Sequence, residues 1–159
     1  MISRRRAITL TAPALLALVA TGIVPAMAAD RVVKNASIHF ITGDDGKDDS
    51  DVLTVTVANA DGKFLERVFD AKQEIKPKTT FTLWLNKLRA EPVEKVKGSK
   101  ITFNIAPQGP EHWVVQEAQL TVIYETGPPE KWRWGPFVLE TSSGKPFSVE
   151  FNLTDDKRM

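Results

Sequence analysis

From residue 38 onward, apolar side chains recur at every second position. Ile38 and Phe40 alternate with polar neighbours, as do Leu53, Val55 and Val57, separated by Thr54 and Thr56. Phe81, Leu83 and Leu85 form another set, followed by Ile101, Phe103 and Ile105, by Leu120, Val122 and Tyr124, and by Phe147, Val149, Phe151 and Leu153. A period of two puts one apolar and one polar face on each segment, which is how strands cover a single core. Thr, Val, Ile and Phe dominate these segments, in line with strand preference.

The punctuation agrees. Asn59-Ala60-Asp61-Gly62 is a turn that joins the Leu53 strand to a strand near Lys63–Asp70. Gly98-Ser99, Pro107-Gln108-Gly109-Pro110, Gly127-Pro128-Pro129 and Ser143-Gly144-Lys145-Pro146 separate the later segments. The pattern predicts an all-β protein, a single antiparallel β-sandwich of seven or eight strands. Two places depart from it. Trp113 and Val115 are apolar at odd positions, whereas Ala118, Leu120 and Val122 are apolar at even ones, so a bulge or bend falls between them. Lys87–Lys97 is charged and contains Pro92, which leaves an edge strand, a loop or a single helical turn.

The first 28 residues follow a different rule. Ser3-Arg4-Arg5-Arg6 precedes an apolar stretch from Leu10 to Val24, which ends in Ala26-Met27-Ala28. Charged, apolar and small residues in that order make an export signal, with cleavage expected before Ala29 and residues 29–159 left as the β-sandwich domain. Localisation is then periplasmic or secreted, in a bacterium. Ser3-Arg4-Arg5-Arg6-Ala7-Ile8 approaches the twin-arginine pattern, while three arginines serve the general secretory route equally well. The apolar run is shorter than the ~20 residues that cross a bilayer and holds Pro13, so no transmembrane segment is expected in the mature chain. The chain has no cysteine, which removes lipid attachment at the cleavage site, thiol catalysis and thiolate metal sites. Losing the three signal arginines, with no acid lost, turns the formal charge from +1 to −2. A net-acidic mature chain argues against nucleic acid, whose binding rests on many Lys and Arg contacts to phosphate.

The densest chemistry lies in the loop Thr42–Asp51. Asp44, Asp45, Asp48, Asp49 and Asp51 put five carboxylates within eight residues, between two strands. Such a loop offers the oxygen ligands that Ca2+ prefers. It also reads as a solvated hairpin loop, since Asp and Gly suit turns. Trp132 and Trp134 flank Arg133 and project to one face of an extended segment. An exposed pair would suit sugar stacking or a membrane interface; a buried pair would be core. Trp84 breaks the apolar parity of its strand, which puts it on the outer face or under a loop. His39 and His112 are the only histidines, and no nucleophile motif surrounds any Ser or Thr.

Two stretches together resemble the PLAT (lipoxygenase-homology) β-sandwich domains. Ile38-His39-Phe40-Ile41 leading into Thr42-Gly43-Asp44-Asp45 is similar to the first strand and Thr-Gly loop of that family. Trp113 through Val122 resembles its later strand, in which a Trp is followed by alternating apolar residues. The resemblance covers roughly 38–124, and Lys131–Phe137 departs from it. It implies an eight-stranded sandwich that binds lipid or protein, with calcium in some members. The reading that follows is an exported, non-catalytic binding module, Ca2+-dependent if the acidic loop holds metal, whose partner is lipid, a glycan or an envelope protein. The alternative is a structural or assembly protein of the envelope without a small-molecule ligand. A hydrolase built on His39 or His112 with a carboxylate ranks behind both.

Overall fold

The computed structural model describes residues 31–70, 72–106, 109–141 and 145–159. The expected export signal, with its expected cleavage position and arginine motif, lies outside the described residues, as do parts of the turns at Pro107-Gln108 and Ser143-Gly144. The strands are β1 (Val33–Thr42), β2 (Val52–Asn59), β3 (Gly62–Phe69), β4 (Thr80–Lys87), β5 (Lys100–Ala106), β6 (Glu111–Tyr124), β7 (Glu130–Trp134), β8 (Phe137–Thr141) and β9 (Phe147–Asn152). All pairings between these strands are antiparallel, in the order β7-β6-β1-β4-β3-β2-β5-β9, with β8 also on β6. The sheet folds into two layers. β7, β8, β6, β1 and β4 form one, and β3, β2, β5 and β9 the other. They join at a short β3–β4 ladder, Leu65 opposite Lys87 and Glu66 opposite Asn86. The architecture is the expected all-β sandwich, partly closed like a barrel.

The alternating positions form its core. Phe40 of β1 lies 5.6 Å from Phe103 of β5 across the two layers, 5.2 Å from Phe81 and 5.5 Å from Trp113, measured between ring centroids. Phe137 and Phe151 extend this aromatic chain toward the far edge. The last segment is less buried than its alternation predicts. Phe147 is exposed, and Val149 and Phe151 are half-buried, because β9 is an edge strand that pairs only with β5.

The strand count exceeds the expected eight by one. The addition is β8, which continues the line of β7 along the same edge of β6. The parity switch in β6 is the reason for the break between them. On the β1 side the register jumps from Ile41 opposite Glu117 to Thr42 opposite Val115, so Gln116 is the extra residue of a bulge. Gln116 and Glu117 both point outward, and the apolar positions resume on the buried face at Ala118. Gly135 sits against this bulge at φ 137°, and a side chain there would run into the Gln116 carbonyl. Lys87–Lys97 resolves as the tail of β4, a connector and one helical turn, α1 (Val93–Val96), entered at Pro92. Among the described residues no helix is long and apolar enough to cross a membrane.

Candidate metal centre

The loop after β1 is pinned at both ends before its acids are placed. The Thr42 hydroxyl donates to the carbonyls of Lys76 or Thr79 (2.9 and 3.0 Å) and accepts from the Thr79 amide at 2.8 Å. Lys47 and Ile75 exchange both backbone hydrogen bonds, at 3.0 and 2.9 Å. This approach explains Gly46, where a Cβ would collide with the Ile75 carbonyl oxygen. The Lys47 side chain then turns fully inside. Its ammonium donates to the backbone carbonyls of Asp48 and Asp51 at 2.5 Å and lies 5.6 Å from the Phe69 ring centroid. Burial lowers its pKa against the opposing pull of Asp51, Glu111, Asp48 and Asp49.

The five aspartates separate. Asp44 pairs with Lys78 at 3.0 Å, and Asp45 lies 3.3 Å from His112 Nδ1; both acids are exposed. Asp49 is also exposed. Asp48 and Asp51 converge with a third acid, Glu111, at the start of β6, and one oxygen of each lies within 4.8 Å of the others. Asp51 and Glu111 are buried and Asp48 is exposed, so the group has one open side. Burial pushes the Glu111 pKa up to about 8, aided by a hydrogen bond with Asp51 and by the charges of Asp51, Asp48 and Asp45. Such a trio offers hard oxygen donors to a divalent cation, with the burden of mutual repulsion in its absence.

Glu111 is missing from the acidic-loop ligand set that the sequence suggests; the sequence offers it only as a carboxylate that could join the two histidines at a metal. It lies outside the acidic loop, and only the β1–β6 register, with Thr42 opposite Val115, brings it there. Its signal was a lone acid at the head of a strand whose inward positions are Trp113 and Val115.

The tryptophan platform is corrected. Trp132 and Trp134 do share one face of β7, as extended geometry requires, but they are 0% and 4% exposed. Trp134 stacks near Phe151, with centroids 5.8 Å apart. The side-chain nitrogens of Trp113, Trp132 and Trp134 are buried without a hydrogen-bond partner. Burying an indole gains roughly 4–6 kcal/mol in area terms, against about 1–3 kcal/mol for the unsatisfied N–H, so the rings go inside. Trp84 takes the opposite position, on the outer face of β4 at 55% exposure. The histidines stay apart: His39 sits opposite Gln119 and bonds Thr82, while His112 sits opposite Glu140.

No protein-family model matches the chain, and no curated protein matches it.

Proposed function

We propose that this chain is an exported, non-catalytic binding module of the bacterial envelope whose acidic loop takes Ca2+ at Asp48, Asp51 and Glu111. The observation that carries the reading is the convergence of these three carboxylates, two of them buried, at the end of a pinned loop. The resemblance to PLAT domains supports it, since members bind lipid or protein and some use calcium. The export signal in residues 1–28 supports a periplasmic or secreted location, where millimolar calcium is accessible. N-terminal sequencing of exported material should begin at Ala29; an intact Met1 would point to an anchored protein.

The test is a thermal melt of the mature protein in chelator and in calcium. A ligand that binds only the folded state adds about 2.7 kcal/mol at a hundredfold excess over Kd. For a domain of this size that raises Tm by roughly 8–15 °C. Mg2+ should do less, because it demands a tight octahedron. Glu111→Gln should remove the calcium shift, whereas Asp44→Asn, which loses only the exposed pair with Lys78, should keep it. A melt unchanged by millimolar Ca2+ would rule out the metal and leave the loop a turn that Lys47 holds together.

A second reading, envelope assembly without a small-molecule ligand, is favoured by β4. That strand pairs with β3 only at Asn86 and Lys87, so among the described residues no strand lies along the second edge of Thr80–Leu85, and unpaired edges recruit other strands. Sedimentation across a concentration range checks it. Self-association that Thr80→Lys disperses would support assembly through this edge, and a monomer throughout would exclude self-assembly.

A further inference from the structure

We infer that Lys47 is a built-in cation that competes with Ca2+ for the acidic loop and keeps its affinity low, an inference that rests on the calcium reading above. Lysine is among the residues least often buried completely, because its long stem normally carries the ammonium out to water. Lys47 is 0% exposed. The loop is built to keep it inside. Gly46 lets the backbone close on Ile75, and the two bonds between Lys47 and Ile75 fix the chain there. The ammonium then lies 5.6 Å from the Phe69 ring centroid, which adds an attraction on its apolar side.

The atoms that this ammonium holds are ones a metal would use. Its hydrogen bonds at 2.5 Å go to the main-chain carbonyls of Asp48 and Asp51, the same residues whose carboxylates converge with Glu111. Ca2+ takes carbonyl and carboxylate oxygens together. Here two carbonyls of the loop already serve a positive charge that belongs to the protein. The charges of Asp51, Glu111, Asp48 and Asp49 all act on that ammonium, so Lys47 and the converging acids share one electrostatic neighbourhood. A divalent ion that enters it meets the repulsion of a cation already in place. Lys78 and His112 have partners at the exposed rim, Asp44 and Asp45, and do not take this part. Lys47 therefore offsets the acids when calcium is scarce and holds the loop together without metal. Calcium gains the loop only where it is abundant, in the weak range of about 10⁻⁴–10⁻³ M that suits extracellular modules.

The experiment follows the ammonium itself. Among the described residues Lys47 is the only buried lysine, so in mature protein labelled with 15N-lysine its ammonium should give the one side-chain signal protected from exchange with water. The expected result is a protected signal in chelator that disappears as calcium is added. Lys47→Met keeps the length of the stem without the charge. Calorimetric titration should find that it binds calcium about tenfold or more tightly than the parent. Lys78→Met removes an equal charge from the rim and should leave the affinity nearly unchanged. Three results overturn the inference: a protected signal that persists when the parent is saturated with calcium, no gain in affinity for Lys47→Met, or an equal gain for Lys78→Met. Should Lys47→Met fail to fold, the ammonium decides alone, and a signal that persists in millimolar calcium overturns the inference. The two readings fail separately. Calcium that raises the parent's Tm with no gain for Lys47→Met leaves the metal centre and removes the competitor. Calcium that binds Lys47→Met but not the parent confirms the competitor and ends the calcium-dependent reading of the native chain.

Discussion

Glu111 shows what a few ångströms between carboxylates do to a single residue. In the unfolded chain it gives up its proton near 4.5, and in the folded protein it keeps it up to about 8, because burial and the neighbouring acids disfavour its charge. A group whose folded pKa is raised contributes stability that is complete below the unfolded pKa and is lost as pH rises through the folded one. The chelated protein should therefore lose stability between about pH 4.5 and 8. Lys47, whose pKa burial lowers, acts in the opposite sense. Glu111→Gln separates the two, since the amide keeps the shape without the charge. Urea denaturation across this range should flatten in that variant and show a gain over the parent at pH 8. An unchanged slope would assign the pH dependence to another group. Calcium should bind more tightly as pH rises through 8, because the ligands must first be deprotonated.

At the level of elements, alternation decides which residues share a face, and the register decides what that face meets. Phe103 is fully buried between Phe40, Phe137 and Phe151, while its neighbour Thr102 points to the other side of β5. Phe103→Ala should cost roughly 3–5 kcal/mol, and Thr102→Ala far less, as read from denaturation midpoints. Equal losses would mean that β5 is turned over. The same logic marks what was legible beforehand. The strands with clean alternation were readable, and so was a break within β6, because a parity change inside one run requires a bulge or a bend. β8 was not, since Phe137-Val138-Leu139 is a short run of adjacent apolar residues with no alternation to read. The Trp132–Trp134 face was readable as a face. That it looks inward depends on β9, whose Phe151 covers Trp134 from the other layer. Two of the three acids of the candidate metal centre were visible, because Asp48 and Asp51 belong to one loop; the third needed the β1–β6 pairing.

At the scale of the whole molecule, one buried acid ties the two ends of the described chain together. Glu130 opens β7 and is nearly fully buried. Its Oε1 accepts from Arg158 at 2.7 Å and lies 3.8 Å from Arg31, and its Oε2 accepts from the Tyr124 hydroxyl at 2.8 Å. The Arg31 guanidinium also lies 4.5 Å over the Tyr124 ring. Burial and the bond to Glu130 drive the Tyr124 pKa well above its ordinary range, so the hydroxyl remains a donor at any physiological pH. Around this clamp the C-terminal residues cover β7. Arg158 bridges to Trp132, and the Met159 amide donates to the Lys131 carbonyl at 2.9 Å. Removing the shared carboxylate takes the acceptor from a buried hydroxyl and the close partner from Arg158, while Arg31 keeps the Thr126 and Pro128 carbonyls; removing one arginine leaves the acid with its other partners. Glu130→Ala should thus cost about 3–5 kcal/mol, the range for breaking a buried pair. Arg158→Ala should cost less, and the double variant little more than Glu130→Ala alone, because both changes remove the same contact. Urea midpoints of the three variants measure this, and Trp132 fluorescence should shift to the red wherever the tail lifts from β7. Additive losses in the double variant would show that the tail and Glu130 act independently, and that the chain ends are held by backbone pairing rather than by the clamp.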